Sequence, residues 1–405
     1  YRNWVTNELP THMPNYVEWA GTYWDSGANT ELKKSYDMLL MPLTQLKVFV
    51  MNIEALAFER SFKIADSFVN CHRTLMIIDE STTIKNRDAK RTKAAVKIGR
   101  KASYRRILTG SPVTNNPLDL FSQAWFLNPH LLGFTSYYTF RAKYAEMVKI
   151  TAGNRAFTKI KGYKNLDELT RSIKSWSSRR TKDECLDLPE KIYQTYEVEL
   201  TDEQKKHYKS LKEKAMAELE GQLVSAPIVL TKLLRLHQLV CGSLTTDDGT
   251  VIPVDNNRMN ALMEVLDEMS GKVIIWANYR SDIQAIEDAL AAEYGRKSVV
   301  SYFGDTSSED RQEAVRRFQT DPECTYFVGN PQTGGFGITL TAATNVVYYS
   351  NSYNLEHRLQ SEDRAHRIGQ KNAVTYVDLI CRKSVDEKIV KALREKKQLS
   401  AQVLG

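Results

Sequence analysis

Short apolar runs, each bounded by turn residues and followed by a helix-length amphipathic stretch, constrain this chain more than any other feature. They recur in two blocks and point to parallel α/β layers, because a strand buried on both faces reads as one continuous apolar run. In the first block, residues 47–53 (KVFVMNI), 73–78 (RTLMII) and the shorter 106–108 (RIL) read as strands. In the second, KVIIWA from Lys272, VVSYF, TYFVG, NVVYYS and AVTYVDLI supply five more, with a helix over 281–290. Between the blocks the character changes. Residues 130–182 are aromatic, basic and helical in pattern, interrupted by Gly133, Gly153 and Gly162. Residues 192–200 (IYQTYEVEL) return to a strand pattern. Thr201 then reads as a helix N-cap with Gln204 at the capping-box position, and another helix covers 228–240. The segment from Ser384 to the end predicts an amphipathic helix with Val385, Ile389, Val390 and Leu393 on its apolar face.

Composition narrows the function classes. At roughly 150 residues per domain, the 405 residues allow two or three domains, and 42% hydrophobic with 26% charged content is globular. No apolar run approaches the roughly 20 residues of a membrane-spanning helix. The five cysteines are scattered without a Cys-x-x-Cys pair, which argues against a disulfide framework or a cysteine zinc site and for a reducing, intracellular compartment. The chain opens on Tyr1, with neither signal nor transit peptide, and reads as a fragment.

Four motifs carry chemistry. LMIIDEST (75–82) ends a buried strand in Asp79 and Glu80, two carboxylates at the carboxyl edge of a sheet, where ligands of open α/β folds commonly sit. Such a pair suits a nucleotide site, one acid holding Mg²⁺ through water and the other orienting the attacking water; a strand followed by a polar turn is the plainer reading. LTGSP (108–112) puts Thr109, Gly110 and Ser111 one βα unit further on. QTGGFGITLT (332–341) clusters Gly334, Gly335 and Gly337, letting backbone N–H groups approach a phosphate or another backbone closely. QSEDRAHRIGQ (360–370) places Arg364 and Arg367 three residues apart, on one helical face, with Gln360 a turn earlier. Arginine cannot lose its proton and binds phosphate bidentately, so the pair suits a γ-phosphate clamp; the alternative is a solvated charged helix satisfied by Glu362 and Asp363. No GxxxxGK[ST] phosphate loop occurs in the sequence.

Together these motifs resemble the SWI/SNF-type remodelling translocases among the superfamily-two helicase ATPases. DEST is similar to motif II, LTGSPVTNN to motif III, KVIIWANYRSDI to motif IV, QTGGFGITLTAA to motif V and QSEDRAHRIGQ to motif VI. SSRRTKDECLDLPEK, LTDEQKKHY, TKLLRLHQLVCG and YFGDTSSEDRQEAVRRF resemble the family's intervening segments, and YRNWVTNELP the tail of motif Ia. Departures are Thr339 where the family has Asn in motif V, and DEST in place of DEAH or DEGH. The short span from motif III to motif IV suggests a minimal motor of bacterial or viral style.

The resemblance implies two RecA-like parallel-sheet lobes with helical insertions between them, the first lobe incomplete at its N-terminus because motif I lies upstream of motif Ia. Residues 1–200 would form lobe 1, with a helical insertion at about 130–187. Residues 201–270 would be the helical start of lobe 2, 271–383 its RecA-like body and 384–405 a C-terminal packing helix. It implies ATP and Mg²⁺ as cofactors, with Asp79 positioning the metal through water, Glu80 polarising the attacking water, and Arg364 and Arg367 stabilising the transferring phosphoryl group. Gln360, Gly335, Gly337, Thr109 and Ser111 would line the nucleotide site, and these residues alone, lacking the phosphate loop, would not hydrolyse ATP. The compartment is the cytoplasm in a bacterium or virus and the nucleus in a eukaryote, and the motor is monomeric.

The net charge of +7 hides two basic stretches. Ten basic residues face one acid from Lys85 to Arg106, and twelve face three from Arg141 to Lys182, the second run interleaved with aromatics. Phosphate-tracking surfaces look like this, although a solubilising helix face does too. The resemblance implies double-stranded or branched DNA as partner, tracked by Asn3, Asn52, Asn278 and Thr333. Three functions follow as expectations: a DNA-stimulated ATPase translocating on duplex DNA and remodelling DNA or protein–DNA structures; a strand-separating or branch-migrating helicase; and an ATP-independent DNA-binding module.

Overall fold

The structure is a computed structural model that describes residues 2–27, 29–152, 155–219, 226–246, 250–304, 306–334 and 337–404. The chain divides into two compact units: residues 1–148, 158–177 and 399–405 in the first, 149–157 and 178–398 in the second.

In the first unit β1 (Trp19–Tyr23) pairs in parallel with β2 (Leu46–Val50), and β3 (Leu75–Ile78) with β4 (Tyr104–Ile107). Helices Glu59–Cys71 and Lys90–Gly99 precede β3 and β4 respectively. Their apolar sides bury Ala65, Val69, Ala95 and Ile98 with Ile78, Ile84 and Phe126. Gly99 ends the second helix against the Phe126 ring, 2.6 Å from where a Cβ would stand, so only a residue without a side chain allows this approach. The other face of β3–β4 is bare, with Leu75 48%, Ile77 53% and Tyr104 51% exposed.

Residues 130–182 are less helical than their pattern suggests. Helices Tyr137–Tyr144 and Leu166–Lys174 flank β5 (Ala145–Ala152) and β6 (Arg155–Tyr163), which form a two-stranded sheet. The physical reason is a period-2 alternation in MVKIT and FTKIKGY, in which β-branched residues favour strand over helix.

The second unit holds β7 (Lys191–Val198), a small antiparallel pair β8 (Ser243–Thr245) and β9 (Val251–Pro253), then β10 (Lys272–Trp276), β11 (Val299–Tyr302), β12 (Tyr326–Gly329), β13 (Ala343–Tyr348) and β14 (Val374–Cys381). Six of these form one sheet in the order β11-β12-β10-β13-β14-β7, with every pairing parallel. Each of the five apolar runs of the second block is a strand, and β10 is buried from Val273 to Trp276. The strand order reverses at β10, which makes its carboxyl end a topological switch point. β7, grouped with the first lobe in the sequence reading, is the edge strand of this sheet. The helix after it, Asp202–Leu219, carries the expected capping box: Gln204 N–H donates to Thr201 Oγ1 at 3.1 Å and Thr201 N–H to Gln204 Oε1 at 3.1 Å. The helix Val385–Leu404 buries Val385, Ile389, Val390 and Leu393, as its periodicity predicts.

At the carboxyl edge of this sheet sits a buried polar cluster. Arg258, with no exposed surface, donates to the Tyr349 and Leu379 carbonyls and to Asp386 Oδ2. Asp386 Oδ2 also accepts the Cys381 N–H at 3.0 Å. His237 Nδ1 lies 2.7 Å from the Tyr279 hydroxyl, and Asp282 Oδ2 is buried with no partner among the described residues. Burial pushes the Asp282 carboxyl up to about 7, against the opposing pull of Arg258, and pushes His237 down to about 4. The signs oppose. The folded state binds more protons than the unfolded state at Asp282, so that residue lowers stability as pH rises from its unfolded value near 4 through 7; His237 contributes stability that is lost as pH falls from 6.5 through 4. Asp282→Asn therefore removes a penalty that grows with pH. The variant's melting temperature is expected to gain on the wild type steadily between pH 4 and 7, and thermal melts at half-unit steps check this. A constant difference would show that Asp282 does not titrate there.

Candidate active site

In the first unit β3 ends at Ile78, and the backbone turns sharply. Asp79 is exposed; its Oδ1 accepts the Glu80 N–H at 3.0 Å, and its Oδ2 makes no hydrogen bond among the described residues. Glu80 lies in the left-handed region, φ 49° and ψ 61°, before the 3₁₀ turn Ser81–Ile84. Non-glycine residues held there cluster at functional sites. Two backbone bonds join this turn to the next loop: Leu108 N–H to the Ile78 carbonyl at 2.9 Å, and Ser81 N–H to the Leu108 carbonyl at 3.0 Å. These bonds tie the loop carrying Thr109 and Ser111 to the Asp79–Glu80 turn, and within the loop Ser111 N–H donates to Thr109 Oγ1 at 3.1 Å.

Gln123, not singled out by sequence, locks these loops together. Its Oε1 accepts from Ser81 Oγ at 2.7 Å, while its Nε2 donates to the Pro112 and Asp119 carbonyls at 2.8 and 2.9 Å. Asp119 in turn accepts the Asn115 N–H at 2.8 Å, and Lys85 Nζ donates to Thr114 Oγ1 at 2.7 Å. Part of the first basic stretch is structural for the same kind of reason. Arg105 donates to the Gly99 and Leu127 carbonyls at 2.7 Å each, Lys101 pairs with Asp66 at 2.6 Å, and Arg91 donates to the Thr83 carbonyl at 2.8 Å.

In the second unit the helix Leu355–Ala365 carries Gln360 and Arg364, and Arg367 follows two residues beyond its end. The two arginines converge: each donates an Nη1–H to the Ile338 carbonyl, at 3.1 Å from Arg364 and 3.3 Å from Arg367. Arg364 Nε is steered by the Gln360 carbonyl at 2.9 Å, and Leu340 N–H donates to the Arg364 carbonyl at 3.0 Å. Gln360 Oε1 is buried without a partner among the described residues. Gly337 adopts φ +73°, which admits glycine without strain; Gly335 lies outside the described residues.

The motif is braced from behind. Gln370 Nε2 donates to the Thr341, Ala343 and Ala365 carbonyls, fastening the motif VI loop to the start of β13. His366 Nε2 meets the Pro189 carbonyl at 2.7 Å, and Lys182 Nζ pairs with Asp363 at 2.6 Å, which ties the RRTKDECLDLPEK segment to motif VI. Arg358 lies over the Tyr348 ring at 3.6 Å and bonds Glu362 at 2.8 Å. Though buried, Glu362 stays below the usual carboxylate range, because the cost of desolvation is outweighed by Arg358 and Lys191.

The candidate DNA residues fall at separate places. Asn278 follows β10 at the switch point; its Nδ2 donates to the Ser350 carbonyl at 2.9 Å, and its own carbonyl accepts from Asn330 Nδ2 at 2.9 Å. Thr333 N–H donates to the Asn330 carbonyl at 3.1 Å, so Asn278 and Thr333 share the carboxyl edge, while the arginine pair belongs to the amino edge of β13. Asn3 is exposed and donates to Glu8 Oε1 at 3.0 Å. Asn52 precedes the 3₁₀ turn Ile53–Ala57 with a buried Oδ1 that has no partner among the described residues. No cluster of three metal-ligating side chains, and no helix long and apolar enough to cross a membrane, occurs among the described residues, and all five cysteines are free.

Comparison with known proteins places the chain in a class and then in a family. The helicase conserved C-terminal domain matches residues 257–369, making the second unit's sheet a helicase-type, RecA-like module. The SNF2-related domain matches residues 17–243, more than half of the chain, and the chain belongs to the SNF2-related family of helicase-type ATPases. An uncharacterized ATP-dependent helicase of Mycoplasma genitalium is 28% identical over 334 residues, 81% of this chain and 30% of that protein. The DNA annealing helicase and endonuclease ZRANB3 of Bos taurus is 29% identical over 345 residues, 84% of this chain and 30% of its own. The TATA-binding protein-associated factor MOT1 of Saccharomyces cerevisiae is 27% identical over 387 residues, 81% of this chain and 20% of its own. The chain thus spans 20% to 30% of the length of these relatives. A solved structure, the Sulfolobus solfataricus SWI2/SNF2 ATPase core in complex with dsDNA, is 26% identical and covers 99% of this chain and 80% of its own, with a TM-score of 0.44.

Proposed function

We infer that this chain is motor machinery of a protein that hydrolyses ATP when bound to duplex DNA and uses the cycle to move along the duplex, remodelling DNA or protein–DNA structures. The observation that carries this reading is the convergence of Arg364 and Arg367 on one carbonyl: two guanidiniums held side by side form a ready phosphate clamp. Family membership supplies the ATPase class, and the relative named as a DNA annealing helicase supports DNA as the partner.

The residues fit the implied cofactors. The exposed Asp79, with Oδ2 unengaged among the described residues, suits a hydrated cation, and the arginine pair suits phosphate. ATP with Mg²⁺ supplies the transferable phosphoryl group when bound. With both bound, Asp79 would hold the metal and Glu80 would orient the attacking water. Gln360 Oε1, without a donor among the described residues, is available to a bound ligand. Arg364 and Arg367, both bonded to the Ile338 carbonyl, would supply the charge that neutralises the phosphoryl oxygens. Thr109, Ser111, Gly335 and Gly337 contribute hydroxyl and backbone N–H donors, while Asn3, Asn52, Asn278 and Thr333 contact the DNA backbone.

The test is ATP hydrolysis by the intact protein with no DNA, plain duplex, forked duplex and a four-way junction. Stimulation of at least tenfold by plain duplex, with displacement of a triplex-forming strand and no strand separation, is expected. Unwinding of the fork in place of triplex displacement would assign it to the strand-separating helicases. DNA binding without ATP binding by the intact protein would make it an ATP-independent module.

A further inference from the structure

β7 is an open sheet edge that leads into a basic groove. Val374 N–H donates to the Glu190 carbonyl and Arg382 N–H to the Val198 carbonyl, with Thr195 opposite Asp378 in the register. That alternation commits the even-numbered residues of β7 to β14. The N–H and C=O groups of Tyr193, Thr195 and Glu197 therefore point to the outer edge, where no strand among the described residues pairs with them. Residues 192–195 are exposed. Just beyond the carboxyl end of β7, a groove of about 450 Å³ is lined by Lys205, Lys209 and Tyr208 of the following helix, by Arg382 and Lys383 after β14, and by Leu200. Lys205 and Lys209 lie four residues apart on one helical face.

Glu197 engages Arg382 directly, whereas the acids near the two helix lysines hold them loosely. Lys205 meets the fully exposed Asp202 at 3.2 Å, Lys209 meets Glu213 at 3.9 Å, and Arg382 meets Glu199 at 4.0 Å besides its contact with Glu197. Exposed pairs of this kind contribute little and exchange readily. Their placement also selects the ligand. A nucleic acid backbone presents unbroken negative charge and would meet Glu197, Glu199, Asp202 and Glu213 between the cations. An extended peptide spaces its same-face side chains roughly 7 Å apart, so carboxylates can reach the lysines while apolar side chains settle on Leu200 and the half-buried Tyr208.

We propose that β7 and the groove at its carboxyl end form a docking site for an acidic peptide in extended conformation, added as a strand to the edge of the sheet. Main-chain bonds to Tyr193, Thr195 and Glu197 give the affinity, and Lys205, Lys209 and Lys383 select acidic side chains. The groove lies at the carboxyl end of β7, whereas Tyr193, whose hydroxyl bonds Glu362 at 2.8 Å, is the end of the site nearest the motif VI helix.

Fluorescence anisotropy with a labelled eight-residue peptide alternating Glu and Val tests this on the chain as it stands, with a Gln–Val peptide and a 12-base-pair duplex as comparison probes. The acidic peptide is expected to bind at least tenfold more tightly than the Gln–Val peptide. Lys205→Glu/Lys209→Glu/Lys383→Glu should cost at least tenfold, and Thr195→Pro, which removes one outward donor and none of the β14 ladder, at least fivefold. Hydrogen exchange on the unaltered chain supplies a readout independent of any variant: the peptide should slow the Tyr193, Thr195 and Glu197 amides and leave Gln194 and Tyr196 unchanged. Undiminished binding by the charge-reversed chain, no protection of those three amides, or their protection by the duplex instead would each overturn the proposal.

Discussion

Arg258→Met is expected to lower the stability of the second unit by about 3–5 kcal/mol, the range seen when one partner of a buried ion pair is removed. Methionine keeps much of the apolar stem, so the loss is not mainly a cavity. What remains is Asp386, buried and still accepting the Cys381 N–H, without the guanidinium that balances it. The Leu379 and Tyr349 carbonyls also lose their donor. Asp386→Leu is expected to cost a similar amount, because it strands the guanidinium instead. The two losses should not add: the double variant removes both charges and is expected to recover much of the stability of either single one. Urea unfolding of the four chains measures this cycle. Losses below about 1 kcal/mol for both single variants would mean that the pair contributes no more than an ordinary hydrogen bond.

Under the proposed function, the largest kinetic effects are expected at Glu80 and Arg367. Glu80→Gln preserves shape and polarity but accepts the water's proton poorly, and Arg367→Ala removes half of the clamp. In the intact protein each is expected to lower DNA-stimulated kcat for ATP hydrolysis by roughly 10³-fold, the scale of a phosphoryl-transfer arginine. ATP affinity should change far less, because both groups act mainly as charge moves in the transition state. Arg367→Lys should rescue little, since an ammonium cannot reproduce the planar fork. Steady-state hydrolysis with separate ATP-binding measurements distinguishes the cases. Unchanged hydrolysis by either variant would remove these residues from the reaction, whereas a parallel loss of ATP binding would make them ground-state ligands.

Much of the second unit was legible because its strands are buried on both faces, so KVIIWA, TYFVG and NVVYYS announce themselves by hydrophobicity alone. The Thr201–Gln204 box and the apolar stripe of the last helix are local signals, and each took the form that its pattern requires. The strands β5 and β6 were obscured by lysines. Period-2 alternation around the Gly153-Asn154 pair was the available signal, but basic and aromatic content drew attention to helix instead. Gln123 was invisible for a different reason: its partners, Ser81 and Pro112, lie 42 and 11 residues away, and no periodicity encodes such a meeting. The same holds for Arg258, one arginine among many in the sequence, whose partners come from three later segments of the chain. The basic stretch from Lys85 to Arg106 shows the limit of counting charge, because Arg91, Lys101 and Arg105 are spent on the fold.

The left-handed backbone of Glu80 has a consequence for how this turn can change over generations. A residue with a Cβ gives up roughly 1–2 kcal/mol in that conformation, and glycine would give up almost none. A chain selected only for durability would therefore drift to glycine at position 80 and grow sturdier. That change would also erase the carboxylate, so under the proposed function this turn trades robustness for reactivity.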